Sequence, residues 1–215
     1  IELCLDILAK KNIKATFFAT HQTDMNKEIL LCGHELGIHP NFLERSDHGN
    51  STKEIIETCL EFAPNAKFVR THALVQSTPL LIEIFGNYKE LKADVSLFMH
   101  RNNSAHKCDF VFQDILFQRI LYNWEDDVEF YNKSFVYNKP IFFGETTIFN
   151  FHPIHVHLNS SNESEYNKLK EFIDQPLRKL KDKTVKNFSN KGLGTKDFLN
   201  TIINTSEKSI LLGDI

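Results

Sequence analysis

The sequence predicts an α/β fold of successive βαβ units around a parallel sheet. Short β-branched and aromatic runs alternate with amphipathic helical segments along the first half of the chain, the pattern that parallel strands with crossover helices produce. The length, 215 residues with 41% hydrophobic and 25% charged side chains, suits one domain that buries a core without disulfide or metal staples.

The elements follow in order. Ile1, Leu5, Leu8 and Ala9 share a face opposite Asp6, Lys10 and Lys11, which predicts a helix over the first dozen residues. Ile13 to Thr20 is β-branched, aromatic and too short for a helix, so it reads as a buried strand. A helix from about 23 to 32 closes on Gly33 as its C′ residue, and His34 to His39 forms a second strand ended by Pro40. Ser51-Thr52-Lys53-Glu54 is a capping box ahead of Ile55, Ile56, Cys59 and Leu60, and Pro64 stops that helix. Lys67 to Arg70 makes a third strand, Pro79 to Phe85 a helix closed by Gly86, and Asp94 to Phe98 a further strand.

The second half is less regular. Ile120 to Trp124 and Thr147 to His152 read as strands. Tyr166, Leu169, Ile173, Leu177 and Leu180 mark one face of a helix from about 161 to 181, which Pro176 should kink or divide. Gly192 and Gly194 precede a last amphipathic helix from Thr195 to about Asn204. No repeat, linker or low-complexity tract interrupts the chain, so residues 1–215 are expected to form a single domain.

Composition narrows the function classes. The net charge is −3 with Lys and Arg spread along the chain, which offers neither a nucleic-acid groove nor a polybasic membrane patch. No apolar run approaches a membrane span. Cys4, Cys32, Cys59 and Cys108 form no Cys-x-x-Cys pair and read as free thiols, which favours a reducing, cytoplasmic location. The chain opens at Ile1 within a helical pattern, so the N-terminus of the protein is expected elsewhere.

Function in such sheets gathers at the C-terminal ends of the strands. His39 ends one strand and His48 lies in the loop after it. Arg70 and His72 end the next, Trp124-Glu125-Asp126-Asp127 another, and His152 another. Imidazole, carboxylate and guanidinium groups at one rim suit a metal site with acid–base partners. Each also has a plainer reading, as a satisfied polar residue or an exposed acidic turn. His34 is expected to be structural, and His155 and His157 to lie on a solvated strand edge. Glu125 and Asp127, two residues apart and so roughly 6–7 Å at Cα, could also serve a glycosidase as its carboxyl pair.

Leu5-Asp6-Ile7-Leu8 followed by Ile13-Lys14-Ala15-Thr16-Phe17-Phe18 resembles the first helix and second strand of polysaccharide deacetylases (carbohydrate esterase family 4). Gly33-His34-Glu35-Leu36-Gly37-Ile38-His39 is similar to the family's second motif. The resemblance implies an irregular (β/α)7-type barrel and metal-dependent hydrolysis of N-acetyl or O-acetyl groups on a sugar or polysaccharide, of the O-antigen-cluster branch. The family's first motif, with its paired Asp, lies one strand before Ile1, so the barrel is expected here without its first strand.

The resemblance also implies roles. His39 becomes a metal-binding imidazole for a divalent ion, expected to be zinc. The usual second imidazole would fall at Leu43, which cannot ligate, and His48 is the nearest substitute. Arg70 stands in the Arg motif that steers the catalytic base, and His72 replaces a Pro of the substrate groove. Trp124-Glu125-Asp126-Asp127 resembles the fourth motif, with Trp124 lining the groove and Asp126 or Asp127 orienting the catalytic histidine. Phe149-Asn150-Phe151-His152 resembles the fifth, which makes His152 the general acid. The alternative is a degenerate barrel that binds glycan or metal without turnover.

Overall fold

A computed structural model describes residues 1–102, 107–180 and 182–215. In chain order the elements are α1 (Glu2–Ala9), β1 (Thr16–Ala19), α2 (Met25–Leu31), β2 (Glu35–Ile38), α3 (Thr52–Phe62), β3 (Phe68–Val69), α4 (Thr78–Asn87) and β4 (Ala93–Phe98). They continue as β5 (Lys107–Phe112), β6 (Ile115–Tyr122), β7 (Trp124–Glu125), α5 (Asp126–Glu129), β8 (Phe149–Asn150), α6 (Pro153–Leu158), α7 (Ser164–Phe172), α8 (Asp182–Lys186) and α9 (Thr195–Thr205). The chain divides into two compact units. One holds residues 14–123 and 209–215, the other 1–13 and 124–208.

The first of these is built on a six-stranded sheet ordered β1-β2-β3-β4-β6-β5. All neighbours are parallel except β5, which returns antiparallel along β6 through a tight turn with Gln113 at φ 54°. The parallel βαβ expectation therefore holds through β4 and β6. Among the described residues the sheet is open, with β1 and β5 at its edges, so the expected barrel closure is not part of it. Pattern reading overlooked the β5–β6 hairpin because β5 is an edge strand that buries little, with only Phe110 partly covered, against Phe117.

Local signals act as written. Ser51 accepts from the Glu54 backbone N–H and Glu54 returns to the Ser51 N–H, closing the capping box that starts α3. Gly33 takes φ 76° just beyond α2, with its N–H on the Leu30 carbonyl, the left-handed exit that a Cβ would disfavour. Gly37 lies at the centre of β2, where a Cβ would come within 2.8 Å of the Phe68 carbonyl. One helix end differs from expectation: α4 runs through Gly86 to Asn87, with Ser77 capping its start.

The second unit carries the two-stranded sheet β7–β8, with Trp124 opposite Phe149 and Glu125 opposite Asn150. The run expected as one strand from Ile120 to Trp124 is thus divided at Asn123 between two sheets. Trp124, Phe198 and Ile202 form a buried cluster against Phe135, Phe149 and Phe151. Leu158, Leu169 and Val185 form another, against Tyr166, Ile173 and Leu177.

Two expectations are corrected in this unit. The long helix from 161 is cut short: α7 ends at Phe172, and a 3-10 turn at Leu177–Lys179 follows Pro176. Its expected end, residue 181, lies outside the described residues. His155 and His157 belong to helix α6 and not to a strand edge; Pro153 at the first helical position starts that helix, where its missing N–H costs nothing.

Candidate active site

His152 is the best-defined candidate. Parallel pairing of β7 with β8 brings the chain out of both strands side by side, so Asp126 and His152 meet just beyond the last paired residues. His152 donates from Nδ1 to Asp126 Oδ1 at 2.6 Å, and its backbone N–H donates to Asp126 Oδ2 at 2.8 Å. The Asp127 backbone N–H also donates to Asp126 Oδ1, at 3.0 Å. Asp126 is fully buried with both oxygens engaged, a carboxylate whose geometry is determined from three directions.

That arrangement ties Nδ1 to Asp126 and leaves Nε2 as the other ring nitrogen. With Nδ1 on Asp126, Nε2 is the outward-facing atom of a ring that is 38% exposed, and Glu125 Oε1 stands 4.0 Å from it. Glu125 is itself held by Asn150, whose Nδ2 donates to Oε1 at 2.7 Å. Burial works against the imidazolium charge. The charge and hydrogen bond of Asp126, with the further charges of Asp127 and Glu125, outweigh it and raise the His152 pKa to about 9. His152 therefore carries a proton at neutral pH. Glu125, Asp127 and His152 also bring one ligand-capable atom each within 4.8 Å of one another, a donor set that would take a proton or a cation.

His155 closes the other side of the ring. It meets His152 edge-on at 5.5 Å between centroids and packs likewise on Phe130 and Tyr166. Burial pushes its pKa down to about 4, so it is a neutral wall, bonded through Nδ1 to the Ser160 hydroxyl at 3.3 Å. Trp124 is corrected: it is fully buried among Phe135, Phe149, Phe151 and Phe198 and lines no groove.

The sheet unit holds the remaining candidates. Backbone bonding continues past the strand ends, from the Arg70 N–H to the Ile38 carbonyl at 3.0 Å and from the His72 N–H to the Pro40 carbonyl at 2.9 Å. These bonds set His72 beside His39. Their rings pack edge-on, with His39 Nε2 3.3 Å from His72 Nδ1. Arg70 is buried, with its guanidinium 4.1 Å above the centre of the Tyr122 ring.

His48, the other expected metal ligand, lies inside the fold. It is buried, and its Nε2 donates to the Thr20 carbonyl at 2.9 Å. Its Nδ1 accepts from the Asn41 N–H at 3.2 Å and lies 3.4 Å from Cys59 Sγ. Burial pushes the Cys59 thiol up to about 12, so it keeps its proton and donates. Both ring nitrogens are engaged by the protein, which makes His48 a brace for its loop. Leu43 is exposed.

A family model for WbmS-like polysaccharide deacetylases matches residues 1–170. The chain belongs to that family. Among solved structures it is similar to a candidate polysaccharide deacetylase involved in O-antigen biosynthesis from Bordetella bronchiseptica, at 28% identity and a TM-score of 0.74, over 94% of this chain and 83% of that one. A candidate polysaccharide deacetylase from Mycobacterium smegmatis aligns at 22% identity and a TM-score of 0.42, over 78% of this chain and 57% of that one. No curated protein matches.

Of the residues singled out in the sequence, the structure brings Asp126, Asp127 and His152 together, and separately His39 with His72. Asp126 is the carboxylate bonded to His152, while Asp127 adds charge. Asn150 was not singled out as a site residue, and Glu125 only as half of a glycosidase carboxyl pair. Their signal was the register of two short strands, which appears only once β7 is known to pair with β8. Among the described residues no helix is long and apolar enough to cross a membrane.

Proposed function

We propose that the protein removes an N-acetyl, or an O-acetyl, group from a sugar or polysaccharide by metal-dependent hydrolysis, in surface-polysaccharide biosynthesis such as that of O-antigen. The observation that carries this reading is the Asp126–His152 pair, a buried carboxylate that holds an exposed imidazole in its protonated form. Amide hydrolysis needs such a group, because a neutral amide nitrogen is a poor leaving group until it is protonated.

Water adds to the acetyl carbonyl as a base carboxylate takes its proton, and the C–N bond then breaks. The amine leaves with the proton from His152 Nε2, and acetate is the other product. Asp126 fixes the tautomer and stabilises the imidazolium throughout. Asn150 keeps Glu125 turned toward Nε2, where its charge supports the proton before transfer. By the family resemblance, Arg70 would steer the carboxylate that acts as base.

Neutral imidazoles are common zinc ligands, and His39 with His72 is a fitting donor pair. A divalent ion there would polarise the acetyl carbonyl and lower the pKa of water. The family's irregular (β/α)7 barrel and a single deacetylase domain over residues 1–215 are parts of the same proposal, as is a zinc cofactor.

Acetate release from an N-acetylated amino-sugar oligosaccharide by the full-length protein tests it. The expected result is metal-dependent release that His152→Ala lowers by about 10²–10⁴-fold. Binding of the oligosaccharide without any acetate release would support the degenerate, non-catalytic barrel that the Leu43 and His72 departures suggest.

A further inference from the structure

We propose that His72 is the second imidazole ligand of the metal, in place of the residue that the family pattern sets at position 43. This rests on the metal-dependent reading above and names the chain's own ligands for it. Leu43 is an exposed hydrocarbon and cannot ligate. His48 has Nε2 on the Thr20 carbonyl and Nδ1 facing Asn41 and Cys59, so it would have to abandon three contacts and leave a buried setting to reach an ion. His72 is already beside His39.

The separation is the quantitative argument. Zinc–nitrogen bonds of about 2.0–2.1 Å in a tetrahedral shell place two ligand nitrogens about 3.3–3.4 Å apart. His39 Nε2 and His72 Nδ1 stand 3.3 Å apart. The two nitrogens form a hydrogen bond, which metal binding would replace as each ring turns its lone pair toward the ion. The rings meet edge-on, at 81° to each other and 5.4 Å between centroids.

The fold delivers His72 firmly. The preceding Thr71 is buried, with its N–H on Ser96 Oγ at 2.9 Å and its hydroxyl 3.2 Å from the same oxygen. Ser96 sits at the irregularity in β4, and its N–H donates to buried Asp94 Oδ1 at 3.1 Å. Asp94 Oδ2 accepts from Arg119 Nε at 2.9 Å, and Arg119 also donates to Gln76. This network anchors the residue before His72, and the His72 N–H is tied to the Pro40 carbonyl next to His39. Directly after His72, Ala73 and Leu74 take φ 51° and 54°, a left-handed turn that ordinary residues adopt at a cost.

The test is zinc binding by the full-length protein after chelator treatment, with Co²⁺ absorption in the visible region as a second readout. His39→Ala and His72→Ala are each expected to weaken zinc binding at least tenfold and to change the Co²⁺ spectrum, with far-UV circular dichroism unchanged. His48→Asn is expected to keep wild-type zinc affinity. Wild-type affinity in His72→Ala would overturn the proposal, and so would loss of binding in a folded His48→Asn. If His72→Ala keeps zinc but loses acetate release, His72 touches substrate and the ligand assignment fails while the deacetylase reading stands. If the wild type binds zinc through both histidines yet releases no acetate, the ligand assignment stands and the deacetylase reading fails.

Discussion

His152 and His39 sit in similar places and differ in their neighbours. Each lies just beyond a short parallel strand, and each is met by a residue from the end of the adjoining strand. For His152 that residue is Asp126, and two further carboxylates stand near. For His39 it is His72, a second imidazole. A carboxylate neighbour stabilises the charged ring and keeps a proton on it. An imidazole neighbour adds no negative charge and leaves a pair of nitrogens suited to share one cation. On the proposed reading, the same topological device yields a proton donor in one unit and a metal-ligand pair in the other, and the identity of one adjoining side chain decides between them.

The comparison breaks most visibly if His152 is removed. His152→Ala is expected to lower acetate release by about 10²–10⁴-fold at neutral pH, with circular dichroism unchanged, because the ring is partly exposed and its loss opens little core. Asp126→Asn should have the next largest effect, since it keeps the shape of the cradle and removes its charge. We expect a drop of about 10²-fold at pH 8, and the alkaline limb of the pH–rate profile should move from near pH 9 toward 6.5. The sign follows from the role: an acid catalyst fails as pH rises through its pKa, so lowering that pKa brings the failure to lower pH. A profile whose alkaline limb does not move would show that Asp126 does not set the proton affinity.

On the sheet side, His48→Ala should act on stability. It leaves the Thr20 carbonyl and the Asn41 N–H without their buried partner, which costs about 2 kcal/mol in denaturant unfolding at unchanged slope. No loss of stability would show that the brace is dispensable.

The smallest expected effect concerns pH and stability in the unit of His152. His155 is held near 4 when folded and sits near 6.5 unfolded, so the unfolded chain binds more protons between those values. Stability is therefore lost as pH falls from about 6.5 toward 4. His152, raised to about 9, has the opposite sign: its contribution is complete below 6.5 and is lost as pH rises toward 9. His155→Phe, which suits a cage of Phe130 and Tyr166, should flatten the acid side of the melting-temperature profile by a few degrees and leave the alkaline side alone. An unchanged acid slope would place its origin elsewhere.

The first half of the fold was legible because its signals are local. The capping box at Ser51, the C′ glycine at Gly33 and the apolar run of β1 each act over a few residues. The β5–β6 hairpin was not legible, because Lys107 to Phe112 is an edge strand that buries little beyond Phe110. His155 and His157 misled for a related reason: alternate histidines imitate a strand, and Pro153 was the better signal. Candidate site residues could be named one by one, but their pairings could not. His39 and His72 are far apart in sequence, and only the backbone bonds from Arg70 and His72 to β2 and Pro40 bring them together. Trp124 was misjudged because sequence cannot show that an aromatic beside acidic residues points into a cluster of phenylalanines.

The most direct measurement is the titration of His152 itself, followed through its imidazole nitrogen and carbon-bound proton resonances by NMR in the wild type and in Asp126→Asn. A midpoint near pH 9 that falls toward 6.5 in the variant, with Nδ1 carrying its proton throughout the wild-type titration, is the predicted result. A wild-type midpoint near 6.5, unmoved by the substitution, would contradict the claim that Asp126 holds His152 as the acid.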